Sequence, residues 1–164
     1  MHDLDMKLLR AMRTRGHTPD REAVAKALGK AGNNALVWFL LGIALALLDP
    51  DRRESWLICA ALGPVAIALN YGIKLLVKRP RPVLEGLPPL GGAPSSLSFP
   101  SAHALSSFAV ATAMFRVDPA TAGTFVFALA LSLGRPYLGM HYPSDVLVGA
   151  LLGVVLGLIV PLSL

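Results

Sequence analysis

Five apolar runs, near 33–48, 56–77, 102–117, 120–137 and 144–162, take up most of this 164-residue chain and leave it few ways to fold. Each run approaches the length of a bilayer-spanning helix, about 20 residues. In hydrocarbon, backbone N–H and C=O groups must be satisfied within the spanning element itself, which a helix does. The chain is 54% hydrophobic and 15% charged, far from the balance of an ordinary soluble domain. The expected fold is all-α: a polytopic membrane helix bundle of about five transmembrane helices. The first run, "ALVWFLLGIALALL", is the shortest. It is expected to cross with help from the preceding Gly-Asn-Asn turn and from Trp38 as an interfacial anchor.

Ahead of the runs, residues 4–14 and 19–31 read as two amphipathic helices lying on the membrane surface. Leu4, Leu8 and Met12 recur at helical spacing among Lys7, Arg10 and Arg13, the pattern of an interfacial helix. Thr18, Pro19 and Asp20 form a helix-start signal. The chain therefore divides into N-terminal surface helices, 1–31, and a transmembrane bundle, 32–164. Segment 78–100, with "KRPRP", "LPPLGG" and "APSS", is too rich in proline and glycine for regular structure. The single cysteine, Cys59, lies in an apolar run, which excludes an internal disulfide and reads as a small buried hydrophobe. The charged opening residues lack the apolar core of a secretory signal. Basic residues do not interleave with aromatics, so no nucleic-acid partner is expected. "GALLGVVLG" at 149–157 offers a glycine-lined face suited to close helix contact and so admits a homo-oligomer.

Alternating crossings put the N-terminus, the 78–100 loop and the 134–143 loop on one side of the bilayer. Of the 15 Lys and Arg residues, all but Arg52, Arg53 and Arg116 fall on that side. The positive-inside rule makes it the cytoplasmic face of a plasma membrane.

On the same face, at helix ends, stand Lys74, Arg81, Ser101, His103, Arg135, His141 and Asp145. Each has an ordinary explanation when taken singly. Lys74 could snorkel, Arg81 and Arg135 could serve topology, and His103 could bond to backbone. Asp145 could be a first-turn acid, with Ser144 as the cap. Taken together they ask for more, because ionisable groups at bilayer depth are costly and mark functional sites. Three cations with two histidines imply an anionic partner. His141 and Asp145 are four apart, so the carboxylate can hold one ring nitrogen and leave the other facing the site.

These residues carry a resemblance. "KLLVKRPRP" fits Lys-x6-Arg-Pro at Lys74, Arg81 and Pro82; "PSAH" resembles Pro-Ser-Gly-His at 100–103; "GRPYLGMHYPSD" resembles Ser-Arg-x5-His-x3-Asp at 134–145. In this order the three motifs resemble the type-2 phosphatidic acid phosphatase family, membrane phosphatases related to vanadium haloperoxidases, over residues 56 to 162. Ala102 stands where the motif has glycine. Gly134 stands where it has serine, which removes one hydroxyl donor to phosphate. Many members have six spans, one more than expected here.

The resemblance implies hydrolysis of a lipid phosphate with neither metal nor cofactor. His141 would attack phosphorus and form a phosphohistidine, with Asp145 orienting it. His103 would protonate the leaving alkoxide and then activate water. Lys74, Arg81 and Arg135 would neutralise the equatorial oxygens. Ser101 and the N–H groups from Ala102 onward would add donors at a helix start. Similarity to actinobacterial members, with an inward-facing site, favours a polyprenyl-linked phosphomonoester, decaprenylphosphoryl-5-phosphoribose. Undecaprenyl diphosphate, phosphatidate and phosphatidylglycerophosphate are the alternatives. A catalytically silent lipid-phosphate binder and a transporter are the readings from other classes.

Overall fold

The structure, a computed structural model, describes residues 2–91 and 97–163. Among the described residues seven α-helices follow one another: α1 (His2–Thr14), α2 (Pro19–Ala31), α3 (Leu36–Leu48), α4 (Arg53–Val77), α5 (Ala102–Val117), α6 (Gly123–Tyr137) and α7 (Pro143–Ile159). No strand occurs among the described residues. The five apolar runs become α3 to α7, and the two surface helices become α1 and α2. The expected irregular segment 78–100 has no regular element where it is described; residues 92–96 lie outside the described residues.

Helix lengths vary. The helical stretch Pro50–Val77 is long and apolar enough to cross a membrane alone. α5, α6 and α7 have 16, 15 and 17 residues, each short of about 20. α2 and α3 pass the same test only as a pair bent by 53°. The bend falls at Asn33–Ala35, where Asn34 and Ala35 both have φ of 55°. Asparagine visits this left-handed region readily, alanine rarely, so packing must hold the kink. It sends α3 along α4 while α2 lies against α6.

α5 is the central helix, buried along nearly its whole length and packed on α4, α6 and α7. Its contact with α7 is made by glycine. A Cβ on Gly153 would sit 2.5 Å from the Leu105 carbonyl, and one on Gly157 would sit 2.5 Å from that of Ala109. The glycine face that admitted a homo-oligomer is therefore covered by α5 within the same chain. Outward, Leu40, Leu47, Leu69, Val126, Leu151 and Val155 are exposed, an apolar girdle suited to lipid.

Two expectations are corrected. Trp38 does not anchor at the interface: it is fully buried, donates to Ser107 Oγ at 2.9 Å and packs against Phe127. Ser144 does not cap α7. Tyr142 is the cap residue, and Asp145 accepts its backbone N–H at 3.0 Å. α1 also has an unusual facing, with Leu4 and Leu8 62% and 47% exposed while Asp5, Leu9 and Arg13 are buried. Beside lipid, apolar side chains lose nothing by facing outward, and the polar ones must turn inward to find partners.

Candidate active site

The end of α4 organises the site. Asn70 and Lys74, one turn apart, point at the segment before α5: Asn70 Nδ2 donates to the Pro100 carbonyl at 2.9 Å and Lys74 Nζ to that of Leu97 at 2.8 Å. The Ser98 N–H donates to the Arg79 carbonyl at 2.8 Å, and the Ser101 N–H to the Asp145 carbonyl at 3.0 Å. The starts of α5 and α7 are thus tied to each other and to α4. Ser101 Oγ accepts from the Ala104 N–H and caps α5.

Between these ends lies a cavity of about 220 Å³ whose wall includes Lys74, Arg81, Ala102, His103, Arg135 and His141. Six of the eight residues singled out from sequence therefore share one space. Ser101 and Asp145 stand behind it, both fully buried.

His141 is buried, with Nδ1 3.5 Å from Asp145 Oδ2 and Nε2 3.3 Å from Arg81 Nη1. At that distance the first is a close approach rather than a formed hydrogen bond, and Nδ1 has no hydrogen-bond partner among the described residues. Such contacts often tighten only when substrate binds. Burial drives the His141 pKa below its ordinary value. Arg81 and Arg135 push the same way while Asp145 opposes them, so the ring is neutral at pH 7 with a lone pair to offer.

Arg135 is 6% exposed, and its Nε has no hydrogen-bond partner among the described residues. A buried guanidinium with an unmet donor calls for an anion. Arg81 donates to the Met140 carbonyl at 2.6 Å, which places its fork beside His141. His103 Nε2 lies 3.0 Å from the Gly29 carbonyl of α2. A carbonyl only accepts, so Nε2 carries a proton and Nδ1 is left to take up or release another.

Sequence reasoning missed the support behind Asp145. Arg79 donates to Asp145 Oδ1 at 2.7 Å and to Asp5 Oδ2 of α1 at 2.8 Å, and it lies over the Tyr142 ring. Ser98 donates its hydroxyl to Asp145 Oδ2. Ser144 meets Asp5 through both its N–H and its hydroxyl. The available signals were a second arginine two residues before Arg81 and an acid on the buried stripe of α1. The Gly-Asn-Asn turn expected before α3 is present as the α2–α3 kink, but its part in the site was missed: Gly32, Asn33 and Asn34 line the cavity. Gly134, by contrast, faces away from it. A Cβ there would meet only the Ala25 carbonyl, at 3.9 Å, and the residue borders an apolar groove with Val24 and Leu28.

Residues 36–164, the stretch from α3 onward, match the PAP2 superfamily. The chain belongs to the PAP2 superfamily. Over 142 residues, 87% of this chain and 80% of the relative, it is 40% identical to decaprenylphosphoryl-5-phosphoribose phosphatase of Mycobacterium tuberculosis. Among solved PAP2-like folds it resembles Aquifex aeolicus LpxE, with 27% identity, a TM-score of 0.79 and coverage of 95% of this chain and 93% of that one. It also shares its fold with the first transmembrane PAP2-type phosphatidylglycerolphosphate phosphatase from Bacillus subtilis, at 23% identity, a TM-score of 0.75 and coverage of 96% and 83%. Helices α1 and α2 precede the PAP2 match, yet with 95% of the chain aligned the likeness to LpxE extends into them.

Proposed function

We propose that this PAP2 protein removes a terminal phosphate from a polyprenyl-linked lipid, decaprenylphosphoryl-5-phosphoribose before others, through a phosphohistidine on His141. One observation carries the chemistry: a neutral imidazole, backed by a carboxylate, shares a cavity with three cations and a second imidazole. Nε2 of His141 attacks phosphorus while Asp145 stabilises the charge growing on the ring. Lys74, Arg81 and Arg135 hold the equatorial oxygens, with the N–H groups at the start of α5 as further donors and Ser101 capping that helix behind them. His103, carrying a proton on Nδ1 besides the one on Nε2 held by the Gly29 carbonyl, gives the Nδ1 proton to the leaving alkoxide and then takes one from the water that attacks the phosphohistidine. The 40% identity to the mycobacterial relative supports the choice of lipid.

Residues 32–164 form the catalytic bundle, with α3 to α7 as five crossings, and residues 1–31 lie on the membrane surface. The excess of Lys and Arg on the site's side supports a cytoplasmic orientation at the plasma membrane. Phosphate release from purified protein in detergent, measured over a panel of prenyl and glycerolipid phosphates, tests activity and lipid together. Turnover is expected to vanish in His141→Ala and an acid-labile phosphoenzyme to form in the parent. A His141→Ala protein working at the parent rate would refute the assignment. Removing Arg81 or Arg135 should cost about 3–4 kcal/mol in the transition state, as deletion of one oxyanion donor does, and chelators should have no effect.

A further inference from the structure

Beside the reaction cavity lies a second one, of about 360 Å³, with Lys26, Gly29, Lys30, Asn33, Leu90 and Arg135 in its wall. Arg135 and Asn33 stand in both walls, so the two spaces adjoin. Lys26 and Lys30 are one turn apart on α2 and share a face. Lys26 pairs with Glu22 at 3.8 Å and Lys30 has no ion pair among the described residues, so with Arg135 this wall carries a surplus of positive charge, and the chemistry at His141 does not use the two lysines.

The position of the second cavity gives it a role. In-line displacement at phosphorus puts the leaving oxygen opposite the attacking nitrogen. The group placed to protonate that oxygen is His103, and His103 is bonded to the carbonyl of Gly29, a wall residue of the second cavity. A leaving group that passes Asn33 and Arg135, the residues common to both walls, enters the space beside α2. Its volume is within the range of small-ligand sites.

We infer that this cavity receives the leaving portion of the substrate and that Lys26 and Lys30 bind a phosphodiester carried on it. The inference rests on the phosphatase reading of the first cavity and deepens it. The preferred substrates have two phosphorus centres, a terminal monoester that reaches His141 and a diester, separated by a sugar or polyol, that reaches α2. Lipids whose leaving group is an uncharged alcohol leave the two lysines unused.

The test uses the full chain in detergent with two lipids of matched acyl chains: phosphatidylglycerophosphate, whose leaving group carries a phosphodiester, and phosphatidate, whose leaving group is neutral. The readout is the ratio of their kcat/KM values. In the double variant Lys26→Gln/Lys30→Gln the ratio is expected to fall at least tenfold, chiefly through KM for the diester lipid. In Lys26→Arg/Lys30→Arg it should stay within about threefold of the parent. A ratio unmoved by the Gln pair, whether both rates fall or neither does, overturns the subsite and leaves the phosphatase reading standing. A parent that releases phosphate from neither lipid nor from a prenylphosphoryl pentose phosphate overturns both.

Discussion

Replacing Asp5 with asparagine should loosen the protein and slow it from the far end of the chain. Asp5 is 5% exposed and receives Arg79 Nη2 at 2.8 Å and the Ser144 N–H at 3.0 Å, besides the Ser144 hydroxyl. Asn keeps one acceptor oxygen but turns an NH2 toward donors and removes the charge facing Arg79. A hydrogen bond to a charged group contributes about 1.5–3 kcal/mol. Arg79, 23% exposed, is too shielded for water to make up the difference in full. A loss of about 2–3 kcal/mol is expected, which for a protein of this size lowers Tm by roughly 4–12 °C. Thermal unfolding in detergent measures it.

The acid dependence has a definite sign. Burial alone would raise the Asp5 pKa, but the hydrogen bonds from Arg79 and Ser144 outweigh it and hold the carboxyl below its ordinary 3.8. Its stabilisation is therefore complete above about pH 3.8 and disappears as pH falls through the lower folded value. The gap between parent and Asp5→Asn should persist at pH 7 and close in strong acid. Since Arg79 also holds Asp145, kcat should fall more than KM rises. Unfolding within 1 °C of the parent at pH 7, with kcat unchanged, would refute the reasoning.

Other perturbations test the cavity and its frame. Gly32→Ala would bring a Cβ within 2.7 Å of His103 Cδ2; the ring must turn, so kcat should drop tenfold or more while the melting temperature barely moves. Gly134→Ser restores the family's residue but points away from the cavity, so kcat/KM for the preferred lipid should change less than about twofold. With the His141 pKa pushed below 6.5 by burial, the nucleophile remains neutral as pH falls to that value, and the acid limb of the kcat/KM profile should lie beneath it. Gly153→Val would drive a side chain into the backbone at Leu105 and Ala109, costing about 3 kcal/mol or more and sharply reducing the yield of folded protein.

The site was legible in sequence wherever short-range spacing set it. Lys74 and Arg81 flank one helix end, His141 and Asp145 are a turn apart, and His103 opens α5 at the predicted residue. Contacts across the chain left little local trace. Asp5 meets Arg79, and Gly29 meets His103, across 74 residues in each case. Hydropathy misplaced Trp38 because an indole suits both an interface and a core that offers its N–H a partner. The glycine stripe of α7 marks a face for close helix contact, read from sequence as one that admits a homo-oligomer; α5 of the same chain covers it, because which helix meets such a stripe depends on the packing of the whole bundle.

The backbone-close seam between α5 and α7 has a consequence for how such an enzyme can diversify. Of the residues proposed for the chemistry, His103 lies in the first turn of α5, Asp145 in the first turn of α7 and His141 just ahead of it. With backbone set against backbone at Gly153 and Gly157, the seam has no side-chain layer to compress or repack, which fixes the spacing of the two helices. Lys26 and Lys30 on α2 stand in the wall of the second cavity, outside this seam, and can be exchanged without touching it. New lipid preferences can be tried there while the phosphorus chemistry stays as it is.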